Sequence, residues 1–155
     1  MQRVGILYQP SRVESRRLAH TVHEVLDRHG VAVWQGSAED EQALGEAATS
    51  LDLLITLGGD GTIVHAVHAV SPAGVPILGV NLGRLGFLAE VEPSEIHSAI
   101  PRVLEGDYLL EERMMLHAEV YRDGQRLLVG DAINDAFMGR GRTSRAVRIS
   151  VDVDD

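Results

Sequence analysis

The sequence predicts an α/β fold, a parallel Rossmann-like sheet with flanking helices, followed by part of an all-β domain. Short apolar runs alternate with segments of helical periodicity in the first 112 residues, in the order β-α-β-α-β-α-β. That alternation is typical of a parallel sheet covered by helices. After Glu112 the apolar residues recur at every second position instead, as they do in strands with one solvent-facing side. We therefore divide the chain into an α/β domain over 1–112 and the start of a β-rich domain over 113–155.

Four short apolar runs predict the strands of the parallel sheet: residues 3–8, 31–34, 53–57 and 75–80. The predicted helices cover residues 11–30, 37–48, 62–70 and 93–104. Ser11 and Glu14 have the spacing of a capping box at the start of the first helix, and Gly30 ends it. Pro93 stands in the first turn of the last helix, where proline is tolerated. In such a sheet, ligands bind beyond the carboxyl ends of the strands.

The β-rich part begins with a predicted hairpin. Residues 114–121 and 126–132 flank Asp123 and Gly124, a dipeptide that favours a two-residue hairpin turn. Apolar residues then alternate with polar ones over 147–153, which predicts a further strand. These strands leave an unpaired edge and a poorly covered face. We therefore expect the chain to be a fragment of a longer protein, and by itself to self-associate or fray in this part.

Composition limits the possible partners and chemistry. A net charge of −9 disfavours binding to duplex nucleic acid or to an anionic membrane. No apolar run is long enough to cross a bilayer and no signal-like amino terminus is present, so we expect a cytoplasmic protein. The chain contains no cysteine, and its 14 basic residues are all arginine. A disulfide, a thiol nucleophile, a Schiff-base lysine and the lysine of a P-loop are therefore excluded.

A glycine-rich segment stands between the third predicted strand and the helix after it: Gly58-Gly59-Asp60-Gly61-Thr62. Glycine lets the backbone approach a ligand closely, and the unpaired amides at a helix amino terminus suit a phosphate. The carboxylate of Asp60 would repel a phosphate. It must therefore cap the helix, hold a cation that bridges to the phosphate, or take a proton during chemistry. The alternative is a tight turn with a helix cap and no ligand.

Two further segments are polar where a predicted strand ends. Residues 81–90, which include Phe87, could bind a ligand or form an ordinary loop with a core aromatic residue. Asn134 and Asp135 could likewise belong to a site or only to a turn. Two histidine pairs have the spacing of ligands on one helix face, His20 with His23 and His65 with His68. Helix histidines more often lie at a surface or at the margin of a core, so we assign no metal site.

Together these motifs resemble those of the NAD kinase family. Residues 58–62 match its GGDGT motif, residues 81–88 look like its N-x-G-x-L-G-F-L segment, and residues 132–135 are similar to its A-L-N-E/D motif. The motifs occur in the family's order and spacing, and the resemblance covers the whole chain. It implies transfer of a phosphoryl group from ATP, another nucleoside triphosphate or polyphosphate to the 2′-hydroxyl of the adenosine ribose of NAD, which gives NADP.

The resemblance also implies roles for individual residues. Asp60 would accept the proton of the 2′-hydroxyl, and Phe87 would lie against the adenine side of NAD. Asn134 and Asp135 would hydrogen-bond the adenine and the ribose. The other nucleotide-binding residues would be Gly58, Gly59, Gly61, Thr62 and Asn81. Mg²⁺ would accompany the phosphate donor, and the protein would form a homodimer or homotetramer. Asp60→Asn should then reduce turnover while leaving NAD binding nearly intact.

The sequence departs from the family pattern in two respects. In the family a stretch of the form GDG…TPTGSTAY follows the strand that resembles residues 145–153, and this chain ends before it. Asp135 stands where glutamate is commoner, which shortens the reach to a ribose by one methylene. Two alternative functions stay open. One is a lipid kinase of the diacylglycerol type, which shares the GGDGT motif, and the other is a non-catalytic nucleotide-binding or assembly module.

Overall fold

A parallel sheet forms the centre of the first part of the chain. Among the described residues its strands are β1 (Arg3–Tyr8), β2 (Ala32–Ser37), β3 (Leu53–Gly58) and β4 (Ile77–Asn81), in the order β2-β1-β3-β4. All six residues of β3 are buried, because this central strand is covered on both faces. The predicted Rossmann-like parallel sheet with flanking helices is confirmed.

The structure is a computed structural model that describes residues 1–83, 86–137, 139 and 148–153. The chain divides into two compact units, Met1–Glu112 and Arg113–Asp155. The parallel sheet and its helices make up the first unit. Across the described residues, none of the helices is both long enough and apolar enough to cross a membrane.

In the described part of the chain, four α-helices cover the sheet: α1 (Val13–Arg28), α2 (Glu41–Ala48), α3 (Asp60–Val70) and α4 (Ile96–Leu104). α1 and α4 share one cluster of buried side chains, which includes Val22, Ile55 and Ile100. α2 and α3 share the other, which includes Leu44 and Leu54. Neighbouring residues of β3 thus point to opposite faces, as the two-residue repeat of a strand requires.

The order of the strands reverses between β1 and β3. The chain leaves β1 toward β2 on one side of the sheet, and leaves β3 toward β4 on the other. Open parallel sheets bind ligands beyond the carboxyl ends of the strands at such a reversal. Gly58 pairs with Asn81 at the carboxyl ends of β3 and β4. The glycine motif and the start of the polar segment 81–90 therefore lie at the same edge of the sheet.

The capping box predicted at the start of α1 is wrong. Arg12 is the N-cap residue, and no side chain caps the helix there. Glu14 lies in the first turn, where its charge suits the positive end of the helix dipole. The other end of α1 agrees with the sequence: the helix ends at Arg28, and Gly30 takes the left-handed backbone conformation with φ of 70°.

Other boundaries also differ from the predicted ones. β2 continues to Ser37, because β1 provides pairing partners for it as far as Tyr8. α2 therefore begins at Glu41, and the Asp40 carboxylate caps it by accepting the Ala43 amide at 3.0 Å. α3 begins at Asp60 instead of residue 62.

The second unit contains the predicted hairpin. β5 (Leu116–Arg122) pairs antiparallel with β6 (Gln125–Ala132). Asp123 and Gly124 both have a left-handed backbone, with φ of 51° and 76°. Positive φ at both positions is the requirement of a type I′ turn, which explains why this dipeptide predicts a hairpin.

The strand predicted over 147–153 is wrong for residues 148–153, which belong to no strand. Val147 lies outside the described residues. Alternation of apolar and polar residues suits a strand, but a strand forms only where a neighbouring strand accepts its backbone hydrogen bonds. Within the described residues, the second unit has a ladder between β5 and β6 alone.

Candidate functional site

The glycine motif forms the turn between β3 and α3. Gly58 ends the strand, Gly59 is the extended N-cap residue, and Asp60 begins the helix. The carbonyl oxygen of Gly59 accepts the amide of Thr62 at 2.9 Å, which closes the first turn of α3. The carbonyl oxygen of Gly58 accepts the amide of Leu82 at 2.8 Å. The turn is thus tied to the residue that follows β4.

Close packing explains the first glycine of the motif. A Cβ atom on Gly58 would overlap the hydroxyl of Thr62, which is buried and has little room to move. Gly59 and Gly61 differ, because among the described residues no heavy atom outside the adjacent residues and the backbone of α3 lies within 4 Å of the position that a Cβ would take. At these two positions the backbone is open, so a ligand can approach it closely.

Asp60 joins the glycine motif to the polar segment 81–90. One carboxylate oxygen accepts the amide of Phe87 at 2.8 Å, and the other accepts the amide of Leu88 at 3.2 Å. The carboxylate therefore does not cap its own helix, which was one of the roles considered for it. The side chain of Phe87 is 92% exposed. The structure thus joins a carboxylate at a helix amino terminus to the backbone of a residue whose aromatic ring is exposed.

Gly86 allows this contact. A Cβ atom on Gly86 would overlap both carboxylate oxygens of Asp60. The close approach explains a glycine directly before Phe87. Residues 84 and 85, which belong to the same motif, lie outside the described residues.

Asn81 ends β4 and shapes the segment that follows. Its backbone amide donates to the carbonyl oxygen of Val91 at 2.9 Å. Its side-chain oxygen accepts the amide of Gly83 at 3.0 Å, as in an Asx turn. Asn81 is half-buried. This side chain supports the loop, and its predicted contact with a nucleotide stays a prediction.

Ser15 is a supporting residue that the sequence reasoning missed. It is completely buried, its hydroxyl donates to the carbonyl oxygen of Leu57 at 2.9 Å, and it accepts the amide of Gln9 at 3.0 Å. Leu57 directly precedes the glycine motif. The available signal was that Ser15 shares a helix face with Leu18 and Val22, where an apolar residue is expected.

Asn134 and Asp135 follow β6 in the second unit, and both are exposed. Gly58–Thr62, Asn81 and Phe87 belong to the first unit. The structure therefore brings together those predicted site residues that lie in 1–112. The contribution of Asn134 and Asp135 to the same site stays a prediction.

The described residues contain no group of three or more histidine, aspartate or glutamate side chains placed to hold a metal ion. All four histidines of the two helical pairs are exposed. In the first pair, Nδ1 of His20 lies 3.5 Å from the carboxylate of Glu24, and Nδ1 of His23 lies 3.5 Å from the side-chain oxygen of Gln35. An ion that binds at the glycine motif would therefore depend on Asp60 and on oxygen atoms of its ligand.

Comparison with known proteins gives consistent matches. The family model described as the ATP-NAD kinase N-terminal domain matches residues 9–108. An NAD kinase from Symbiobacterium thermophilum is 50% identical over 109 residues, which cover 70% of this chain and 38% of that protein. An NAD kinase from Dehalococcoides mccartyi is 36% identical over 153 residues, 98% of this chain and 54% of that protein. The chain thus spans about half the length of the curated relatives it matches.

Solved structures agree on the fold. The crystal structure of yeast NADH kinase complexed with NADH superposes with a TM-score of 0.68 at 24% sequence identity, over 86% of this chain and 47% of that one. A de novo designed Rossmann 2x3 protein superposes with a TM-score of 0.50 at 13% identity, over 73% of this chain and 97% of the design. At these identities the likeness concerns the fold alone.

Proposed function

Because the chain belongs to the ATP-NAD kinase family, we propose that the whole protein is an NAD kinase. It transfers a phosphoryl group from ATP or polyphosphate to the 2′-hydroxyl of the adenosine ribose of NAD and releases NADP. The chain spans between 38% and 56% of the length of its relatives, so the activity is assigned to the whole protein. A nucleotide-binding or assembly role is the alternative for these 155 residues alone.

The observation that carries the proposal is the placement of Asp60. Its carboxylate lies at the amino terminus of α3, on a glycine-lined turn, and accepts the backbone amide of Phe87, whose ring is exposed. Each carboxylate oxygen has two lone pairs, and each accepts one backbone amide, so both keep capacity for another partner. Asp60 can therefore accept the proton of a hydroxyl while it stays bound to both amides.

In the proposed reaction, the 2′-oxygen of NAD forms a bond to the terminal phosphorus of the donor. The bond from that phosphorus to the bridging oxygen breaks, and the shortened donor leaves with the electron pair. Asp60 takes the hydroxyl proton, as a general base does. The open backbone at Gly59 and Gly61 and the positive end of the 11-residue helix α3 suit the phosphate oxygens.

Mg²⁺ fits this arrangement as an ion held mainly by the donor. In nucleotide sites it is bound by one or two carboxylates together with phosphate oxygens. Asp60 supplies one carboxylate with spare lone pairs. When bound, Mg²⁺ neutralises charge on the phosphates, which reduces their repulsion from Asp60.

On the NAD side, we assign the adenine to the exposed face of Phe87, since an aromatic ring can stack on a base. Asn134 and Asp135 are proposed to hydrogen-bond the adenine and the ribose. The relatives reported above are NAD kinases, and no finding supports the lipid-kinase alternative.

The test is an assay of the purified whole protein with Mg²⁺, with ATP or polyphosphate as donor and with NAD or diacylglycerol as acceptor. We expect NADP to form, which an NADP-specific dehydrogenase detects, and diacylglycerol to stay unmodified. Phosphorylation of the lipid, or no transfer to NAD with either donor, would overturn the proposal.

The oligomeric state and the location belong to the same proposal. We expect a homodimer or homotetramer in the cytoplasm. The hairpin supports self-association, because Leu116, Val120 and Leu128 lie exposed on one face of it. Light scattering of the whole protein and fractionation of the cells that make it test the two expectations. A monomer, or recovery with the membrane fraction, would contradict them.

A further inference from the structure

We propose that Asp60 is also the positioning residue for residues 86–88, and that Gly86 makes this possible by leaving room for the carboxylate. By this inference, one side chain, that of Asp60, both acts as the general base and fixes the position of Phe87. The structural part is independent of the proposed function. The part that concerns NAD rests on it.

Asp60 holds two successive amides with its two oxygens. The bonds to Phe87 and Leu88 measure 2.8 and 3.2 Å and bridge 27 and 28 positions of the chain. Hydrogen bonds to a charged acceptor are roughly twice as strong as those between neutral groups. Asp60 is thus the link between the start of α3 and the backbone of Phe87.

The ring of Phe87 has little packing to hold it. Its side chain is 92% exposed, so its place depends on the backbone that carries it. Downstream, the amides of Glu90 and Val91 both donate to the carbonyl oxygen of Gly79 at 3.1 Å, and Ala89 is buried. These contacts begin only after Leu88. Within the described part of this segment, residues 86–91, the bonds to Asp60 are therefore the hydrogen bonds that hold the backbone of Phe87.

Gly86 provides a way to disturb the contact without changing the carboxylate. A Cβ atom there would overlap both oxygens of Asp60. Gly86→Ala must therefore displace either the carboxylate or the two amides. Gly83 is a matched control in the same segment: among the described residues other than its chain neighbours, the atom nearest to a Cβ there is the side-chain oxygen of Asn81 at 3.9 Å, an ordinary contact distance.

The geometry changes the expectation for Asp60→Asn. An asparagine side chain has one acceptor oxygen and one NH₂ group, which is a donor. With two backbone amides facing it, one of them meets a donor and loses its bond. The variant therefore removes the base and also releases one end of the segment. Its effect should include weaker binding of NAD.

The first experiment uses the 155-residue chain and needs no enzymatic activity. Hydrogen exchange of the Phe87 and Leu88 amides is measured by NMR, relative to Ile55 and Leu57 in β3, so that a general loss of stability cancels. We expect Asp60→Asn to reduce the relative protection of at least one amide by about tenfold or more. Gly86→Ala should do the same, and Gly83→Ala should leave protection unchanged. Unchanged protection in both Asp60→Asn and Gly86→Ala would overturn the inference.

The second experiment measures NAD kinetics in the whole protein. Gly86→Ala keeps the carboxylate, so we expect it to raise KM for NAD more than it lowers kcat. Asp60→Asn should raise KM and also lower kcat by about 10²- to 10⁴-fold, the usual effect of removing a general base. A fall in kcat at unchanged KM for both variants would overturn the link to NAD. If the unsubstituted protein makes no NADP while amide protection responds as expected, the proposed function fails and the positioning role stands.

Discussion

The hydroxyl of Ser15 donates a hydrogen bond to the carbonyl oxygen of Leu57 at 2.9 Å, and so joins the first turn of α1 to the end of β3. The two residues are 42 positions apart, and Ser15 is completely buried. Since Gly58 follows Leu57, the position of the glycine motif depends on a helix that contributes no motif of its own. Because Ser15 is buried and makes two hydrogen bonds, its hydroxyl should contribute to the free energy of unfolding.

Ser15→Ala should destabilise the first unit. The change removes two hydrogen bonds and leaves the amide of Gln9 without its side-chain acceptor. Loss of a partner by a buried polar group costs about 1–3 kcal/mol. Urea unfolding of the chain measures the change in the free energy of unfolding. Ser11→Ala is the matched control, because Ser11 is exposed and does not cap α1, and it should change that free energy by less than about 0.5 kcal/mol. Equal effects of the two substitutions would contradict the role of Ser15.

Gly79→Ala should also be destabilising, through overpacking. A Cβ atom there would lie 2.6 Å from a methyl carbon of Ile63 and 2.9 Å from the Cα atom of Ala89. Backbone cannot yield easily, and overpacking of a core costs about 1–3 kcal/mol. Gly45→Ala in α2 meets no atom within 4 Å among the described residues and should stabilise by about 0.5–1 kcal/mol. Thermal unfolding of both variants should show shifts of opposite sign, and a shared direction would refute the packing argument.

Gly124→Ala should weaken the hairpin, whereas Gly130→Ala should not. Gly124 has φ of 76°, a conformation that costs a residue with a Cβ atom about 1–2 kcal/mol. Gly130 lies within β6, and a Cβ there meets no atom within 4 Å among the described residues. Hydrogen exchange of the β5 amides compares the two variants. Equal protection in both would mean that the turn does not control hairpin stability.

The hairpin should respond to pH through His117. The ring of His117 forms a hydrogen bond with the carboxylate of Asp131 at 2.6 Å, across the two strands. This bond is the main reason why the pKa of His117 lies above its usual 6.5. A raised pKa in the folded state means that the bonded imidazolium stabilises the hairpin fully below about pH 6.5, and that this contribution is lost as pH rises through the folded pKa.

Glu119 determines the lower end of the pH range in which the hairpin is most stable. Its hydrogen bond with the hydroxyl of Tyr121 and then that with Arg126 lower its pKa below the usual 4.5, so its contribution is present above about pH 4.5 and is lost on further acidification. Amide exchange in β5 should therefore be slowest between these limits, after correction for the intrinsic pH dependence of exchange. His117→Gln should remove the loss of protection above about pH 6.5. If the pH profile of exchange is unaltered by this substitution, the hydrogen bond between His117 and Asp131 is not the cause of that loss.

Local patterns were enough for the type of fold and for several turns. The alternation of strands and helices predicts the parallel sheet, and the Asp123-Gly124 dipeptide predicts the hairpin, because periodicity and backbone φ depend on residues close together in the chain. The glycine motif could be placed at a strand-to-helix turn for the same reason. Its match to a family motif supplied the hypothesis for Asp60.

Contacts between distant residues could not be obtained in this way. The extension of β2 to Ser37 depends on pairing with β1, and whether residues 148–153 form a strand likewise depends on a pairing partner, which their own alternation does not supply. The partners of Asp60 lie 27 and 28 positions away, and Leu57 lies 42 positions from Ser15. The presence of an aspartate or a serine in the sequence does not predict which distant backbone group its side chain will contact. That choice is made when the helices pack on the sheet and buried polar groups must find acceptors and donors among the atoms brought next to them.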